Sequence, residues 1–117
     1  MPTSDGSSLE QGDVVVVPFP YVDRLAEKRR PAVVVSSPLL LSFNVIWIAM
    51  ITSARNRPWP SDVTIDSLER AGLPAASIVR PAKIACIEPD RIVRAIGRID
   101  KRELSTVLNT IGRYLGL

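Results

Sequence analysis

The sequence has no histidine, a single cysteine and only 5% aromatic residues among its 117. Without histidine it lacks the commonest general acid/base and the commonest catalytic metal ligand, so Ser-His-Asp and Cys-His catalysis are excluded. One thiol excludes an intramolecular disulfide and a cysteine metal cluster. That thiol, Cys86, lies in Ile84-Ala85-Cys86-Ile87, a setting in which a small buried hydrophobe is expected and an activated nucleophile is not. No glycine-rich phosphate loop is present, so no nucleotide cofactor is expected, and with no histidine and one cysteine no metal is expected either. The longest apolar run, Val45 to Ile51, is 7 residues, whereas a membrane helix needs about 20. No membrane partner is expected. The opening Met1-Pro2-Thr3-Ser4-Asp5-Gly6 has no basic region followed by an apolar stretch, and the expected location is therefore cytoplasmic.

What is present suffices for one folded domain. Apolar residues make up 46% and charged residues 23%, too apolar for disorder, and a chain this short buries roughly 65% of its unfolded surface around one core. Charge is divided along the chain. Residues 1–23 carry Asp5, Glu10, Asp13 and Asp23 with no basic residue, whereas residues 24–57 carry Arg24, Lys28, Arg29, Arg30, Arg55 and Arg57 against Glu27 alone. A second basic region runs from Arg80 to Arg113. Arginine predominates, and its planar fork of donors suits phosphate contact and stacking on bases. A polyanionic partner is the functional reading; scattered solvated charge is the ordinary alternative.

Residues 1–11 are polar and without periodicity and are expected to form a disordered tail, with one domain over residues 12–117. The pattern predicts strands at Val14 to Phe19, Ala32 to Ser36 and Val45 to Ile51, with a loop from Tyr21 to Arg30 and a helical turn over Leu39 to Asn44. Pro31 holds Arg30 extended at a strand start. A loop over Thr52 to Ser61 precedes short strands around Asp62 to Ile65, Ser77 to Arg80, Ala82 to Ile87 and Arg91 to Ile99. Trp47, among isoleucine and valine, is expected in the core. Asp100 and Glu103 form a capping signal, and Leu104, Val107, Leu108, Ile111 and Leu115 make one apolar stripe, predicting a helix over Lys101 to Leu115. The expected fold is mainly β with a C-terminal helix: a small barrel or strongly bent sheet capped by that helix.

Several blocks in this order resemble a known family. Gly12-Asp13-Val14-Val15-Val16-Val17-Pro18-Phe19, then Arg29-Arg30-Pro31-Ala32-Val33-Val34-Val35-Ser36, then Ile51-Thr52-Ser53, resemble the MazF/PemK toxins of type II toxin–antitoxin pairs. Gly72-Leu73-Pro74, Ser77-Ile78-Val79-Arg80, Arg91-Ile92, Ile96-Gly97 and the final helix look like the remaining blocks, so the resemblance runs from Gly12 to Leu117. It implies an SH3-like barrel, a homodimer, a cognate antitoxin, and a metal-independent endoribonuclease that cuts single-stranded RNA through attack by the 2′-hydroxyl.

Such a reaction needs assistance to the 2′-hydroxyl, neutralisation of a dianionic phosphorane and assistance to the leaving oxygen, none of which requires histidine or metal. The resemblance gives the main catalytic role to Arg30, with Arg29 able to share it. Thr52 and Ser53 stand at a strand end, where hydroxyls either donate to phosphate or make a local turn; the resemblance makes Thr52 the orienting group and Ser53 its support. Lys28, Arg29, Arg55, Arg57, Arg80 and Lys83 are candidate RNA contacts. Trp59, between Pro58 and Pro60, is either a base-stacking platform or a loop anchor tucked into the barrel. The chain departs from the family at Pro81-Ala82-Lys83, where some relatives carry an acidic residue or glutamine soon after the arginine. Glu27 is a carboxylate in the first basic loop, but its spacing to Pro31 does not match. Two alternatives share the fold: a nucleic-acid or protein-binding module without activity, and the gyrase-poisoning branch, whose C-terminal tryptophan is missing from Tyr114-Leu115-Gly116-Leu117.

Overall fold

The computed structural model describes residues 9–19 and 28–117. Six strands, β1 (Asp13–Phe19), β2 (Lys28–Val34), β3 (Ile46–Ser53), β4 (Val63–Thr64), β5 (Ser77–Ile87) and β6 (Arg94–Arg98), form one sheet in the order β4-β5-β3-β2-β1-β6, every neighbour antiparallel. The helices are the single turn α1 (Leu68–Ala71) and the C-terminal α2 (Lys101–Tyr114). Pro38–Phe43 is a 3-10 helix ended by Asn44 in the left-handed region.

The run Val14 to Val17 is buried at every position, because successive side chains enter different cores on opposite faces of the sheet. Val14, Val33, Ala49, Ile51 and Val79 face one cluster with Leu73, Ile99 and Val107 of α2. Val15, Val17, Ala32, Val34, Ile46, Ile48 and Met50 face the other, where Leu9 also packs. A sheet covered on both faces explains why these strands read as unbroken apolar runs rather than alternating ones. The curl is drawn in where α1 meets the edge strand β6. Gly72 and Gly97 allow that approach, since a Cβ on either would run into the backbone of the other segment.

Helix α2 starts as its sequence predicts. The Asp100 carboxylate accepts from the Glu103 amide at 2.8 Å and Glu103 Oε1 accepts from the Asp100 amide at 3.3 Å. Glu103 has a second task, accepting from the Asp66 amide at 2.7 Å, which ties the helix to the segment after β4 and explains a carboxylate 5% exposed.

The structure differs from several expectations. Lys28 to Arg30 belong to β2 and not to a loop: Arg30 pairs with Val17 and Pro31 with Val16. β3 pairs only with residues 32–34 of this strand, so Pro31 occupies an edge-like stretch where proline is tolerated. The two strands expected over residues 77–87 are one strand, β5, with a bulge: the register jumps from Ala49–Ile84 to Met50–Arg80, leaving Pro81-Ala82-Lys83 out of the ladder. Trp47 is 43% exposed rather than core. It shares the face of Ala49 and Ile51 but lies beyond their cluster. Cys86, directly opposite it, is exposed as well. Of the expected tail, residues 9–11 are held: Leu9 is buried, Gln11 Nε2 donates to the Val35 carbonyl at 3.0 Å, and Glu10 pairs with Arg98 at 3.3 Å.

Candidate functional site

The β2–β3 ladder ends at Ala32–Met50. Arg30 and Thr52 stand two residues farther along their strands, Arg30 still paired with Val17 of β1 and Thr52 with Ile78 of β5. Strand alternation puts both on the face of Ala32 and Met50. The two residues singled out as catalytic therefore flank the gap that opens where two central strands part. Arg30 is exposed and Thr52 half-buried. The Thr52 hydroxyl oxygen accepts from Asn56 Nδ2 at 2.5 Å, which fixes its direction and leaves its hydrogen for a further acceptor such as a phosphate oxygen.

Ser53 is placed differently. It faces the other side of β3, its hydroxyl accepts from the Arg55 amide at 3.1 Å and its carbonyl accepts from the Asn56 amide at 3.0 Å. These bonds make the turn that carries Asn56 to Thr52, so Ser53 acts locally. Lys28 shares the face of Arg30 while Arg29 points to the opposite one, and all three are exposed. Arg55 and Arg57 are exposed on the loop after β3.

Arg80 is corrected from a phosphate contact to a buried clamp. Only 8% of it is exposed. Its Nε and Nη2 lie 3.1 Å from the two carboxylate oxygens of Asp62, and Nη2 donates to the Arg57 carbonyl at 3.0 Å. The guanidinium carbon sits 4.3 Å from the centre of the Trp59 ring, with Lys83 Nζ 5.9 Å from that centre. The Asp62 carboxylate also accepts from the Trp59 amide at 2.8 Å. Burial pushes the Asp62 carboxyl up, but the Arg80 hydrogen bond, the Trp59 amide and the guanidinium charge outweigh it, and the group ionises below the ordinary carboxylate value. Trp59 itself stays 41% exposed. Lys83 belongs to the bulge that follows Arg80.

Asn56 and Asp62 escaped the sequence reading. The composition Trp59-Pro60-Ser61-Asp62 signals an Asx-type turn, yet nothing in it pairs Asp62 with an arginine 18 positions away. Asn56 carries no signal beyond its place in a polar loop. Arg24, Glu27 and Tyr21 lie outside the described residues. Among the described residues, no group of three His, Cys, Asp or Glu side chains gathers where it could hold a metal ion, and no helix is long and apolar enough to cross a membrane.

The family model of PemK-like, MazF-like toxins of type II toxin–antitoxin systems matches residues 10–115. The chain belongs to this toxin family. Solved structures agree on the fold. In the MazE–MazF complex of Deinococcus radiodurans, a chain 20% identical superposes with a TM-score of 0.75 over 93% of this chain and 97% of that one. An endoribonuclease in complex with its cognate antitoxin, from a mycobacterial species, gives 0.72 at 14% identity over 94% and 95%. The Mycobacterium tuberculosis toxin MazF-mt6 gives 0.70 at 19% identity over 90% and 97%. No curated protein matches in sequence. The MazF-like fold thus reaches from the N-terminal strand to the final helix.

The Asp62–Arg80 pair makes this toxin's stability depend on pH with a definite sign. The folded Asp62 carboxyl ionises below its unfolded value, so its contribution is complete above the unfolded value of about 4 and disappears as pH falls through the folded one. The stability gap between wild type and Asp62→Asn, read from urea midpoints, should therefore be constant from pH 5 to 8, within the range typical of mutant effects of about 0.5–3 kcal/mol, and shrink below pH 4. A gap that widened in acid would contradict the assignment.

Proposed function

We propose that this toxin is a metal-independent endoribonuclease that cleaves single-stranded RNA in the gap between Arg30 and Thr52. The observation that carries the reading is their placement: an exposed guanidinium and a hydroxyl already oriented by Asn56, on one face, where the strands separate. In the reaction the 2′-oxygen bonds to phosphorus as the bond to the 5′-oxygen breaks; the 2′-hydroxyl loses its proton and the leaving oxygen gains one. The products carry a 2′,3′-cyclic phosphate and a 5′-hydroxyl. Arg30 neutralises the phosphorane through two parallel N–H donors, and Thr52 holds one phosphate oxygen. Lys28, Arg55 and Arg57, with Lys83 at the bulge, line the path of the strand on either side, and Arg29, on the opposite face of β2, meets it only if the RNA wraps the strand end.

The cytoplasmic partner is an antitoxin that covers the same basic surface, a reading supported by the toxin family and by solved relatives bound to antitoxins. Dimerisation is supported by exposed apolar side chains, including Leu39, Phe43, Trp47 and Ile84, which a second copy would remove from water.

Incubation with a mixed single-stranded RNA in EDTA, followed by mapping of the ends, should give cuts at defined sequences. Arg30→Ala should lose at least 10²–10³-fold and Thr52→Ala about 10²-fold while both remain folded; near-wild-type cutting by a folded Arg30→Ala would sink the assignment. For binding, log affinity against log salt should lose about 1.4 from its slope in Arg55→Ala/Arg57→Ala, about 0.7 for each phosphate contact removed. An unchanged slope would leave these arginines as solvated surface. Light scattering at micromolar concentration should report twice the monomer mass, and monomer alone would refute the dimer.

A further inference from the structure

We propose that Asp62 and Arg80 are positioning residues for base recognition, holding the Trp59 ring as a preset platform on which one unpaired base of the RNA stacks beside the cleavage gap. The proposal rests on the ribonuclease reading, and goes beyond it by assigning a role to an ion pair that touches neither the reacting phosphate nor, directly, the RNA.

Arg80 lies opposite Met50 on β5, on the face that also carries Thr52 and Arg30. Its position is fixed by the strand, whereas Trp59 and Asp62 sit on the excursion between β3 and β4. One carboxylate joins the two. Asp62 accepts from Arg80 through both oxygens and from the Trp59 amide, so it ties the root of the tryptophan to the cation lying under its ring. The ring is thereby fixed both where its backbone starts and in its plane. Arg80 adds a third tie to the Arg57 carbonyl. Ser61, between the tied residues, adopts a φ of 71°, a conformation that costs free energy for a non-glycine residue and persists when its surroundings enforce it. With Arg80 against the ring and Lys83 Nζ farther off at 5.9 Å, the residue is still 41% exposed, which leaves aromatic surface for a ligand. Stacking on aromatics is how proteins hold unpaired bases, and a platform fixed beforehand avoids the ordering cost that a loose side chain would pay on binding.

A solely structural pair would predict lost stability with recognition of RNA intact. The platform predicts a specific kinetic signature. On a short RNA spanning a mapped cut, Asp62→Asn, which keeps the shape of the side chain and removes its charge, should raise KM about tenfold and change kcat by less than twofold. Trp59→Ala should do the same, and the double variant should be no worse than Trp59→Ala alone, since Asp62 acts through the ring. Additive effects, or a fall in kcat at constant KM, would overturn the proposal. Binding is read separately with an uncleavable 2′-O-methyl oligonucleotide, in a Trp47→Phe background so that Trp59 is the sole reporter. The oligonucleotide should quench Trp59 fluorescence, with affinity about tenfold weaker in Asp62→Asn. That result supports the platform even if no RNA is cut, an outcome that would overturn the ribonuclease reading alone; quenching unaffected by Asp62→Asn overturns the platform alone. Should Asp62→Asn fail to fold, Arg80→Lys, which retains the charge but not the fork, carries the same expectations.

Discussion

The constraint on which this fold depends is that β1, β2 and β3 must be covered on both faces. Their side chains enter two separate clusters, so the chain has to supply material for both from little more than a hundred residues. Helix α2 and the segment after β4 cover one face, and the curl of the sheet, with Leu9 and Leu41, closes the other. Burying one valine contributes about 1.5 kcal/mol or more, which makes any slip of register along Val14 to Val17 costly. The ladder persists as far as both faces can be kept dry. It ends where the sequence changes from apolar residues to Arg30 on one strand and Thr52 on its neighbour, and the opening between the strands follows from that change of residue type.

Such an opening has to be bordered by loops, and loops lack the burial that fixes strands. The loop after β3 is held by polar bonds instead. Asn56 reaches back to Thr52, Ser53 turns the backbone, and the Asp62–Arg80 pair fixes the far end. A pair whose side chains are only 9% and 11% exposed incurs a desolvation penalty that Coulomb attraction offsets only with good geometry and additional hydrogen bonds. Both are met here, by the bidentate fork and by the Arg57 carbonyl and Trp59 amide. Removal of either partner would strand a buried charge, which is far more damaging than the net worth of the pair. The ion pair is thus better understood as a fastener for one loop conformation than as a source of stability for the sheet.

The architecture was legible because its signals are local. The β-branched run of β1, the Asp100–Glu103 capping pair and the apolar stripe of α2 each state their structure within a few residues, and the order of the blocks carried the family. What the sequence hid depends on partners distant along the chain. Trp47 and Cys86 looked buried because their neighbours are apolar, but their cover had to come from elsewhere and does not reach them. The bulge at residues 81–83 could not be seen because Ser77 to Arg80 and Ala82 to Ile87 each read as a strand, and only the pairing with β3 joins them. In the candidate site Arg30 and Thr52 were singled out from the sequence, whereas Asn56, which orients Thr52, and Asp62, which engages Arg80, were not. Candidate catalytic types advertise themselves by chemistry, whereas Asn56 and Asp62 are ordinary loop residues until their partners are known.

Arginine shows how far residue type alone leads. Arg30 and Arg80 sit on the same face of the same sheet, each at the end of a run of paired apolar residues, and composition cannot separate them. Among the described residues, what separates them is an acceptor within reach. Arg80 has Asp62 and the Arg57 carbonyl, and its guanidinium goes inward. Arg30 pairs through its backbone with Val17 and its side chain is exposed beside the gap. The missing carboxylate after Arg80, noted as a departure from the family, fits this arrangement: Pro81-Ala82-Lys83 leave the ladder as a bulge, and the acid that engages the arginine comes from Asp62 across the loop. In this chain Arg80 is therefore committed to holding the loop beside it, whereas the guanidinium of Arg30 stays exposed at the gap.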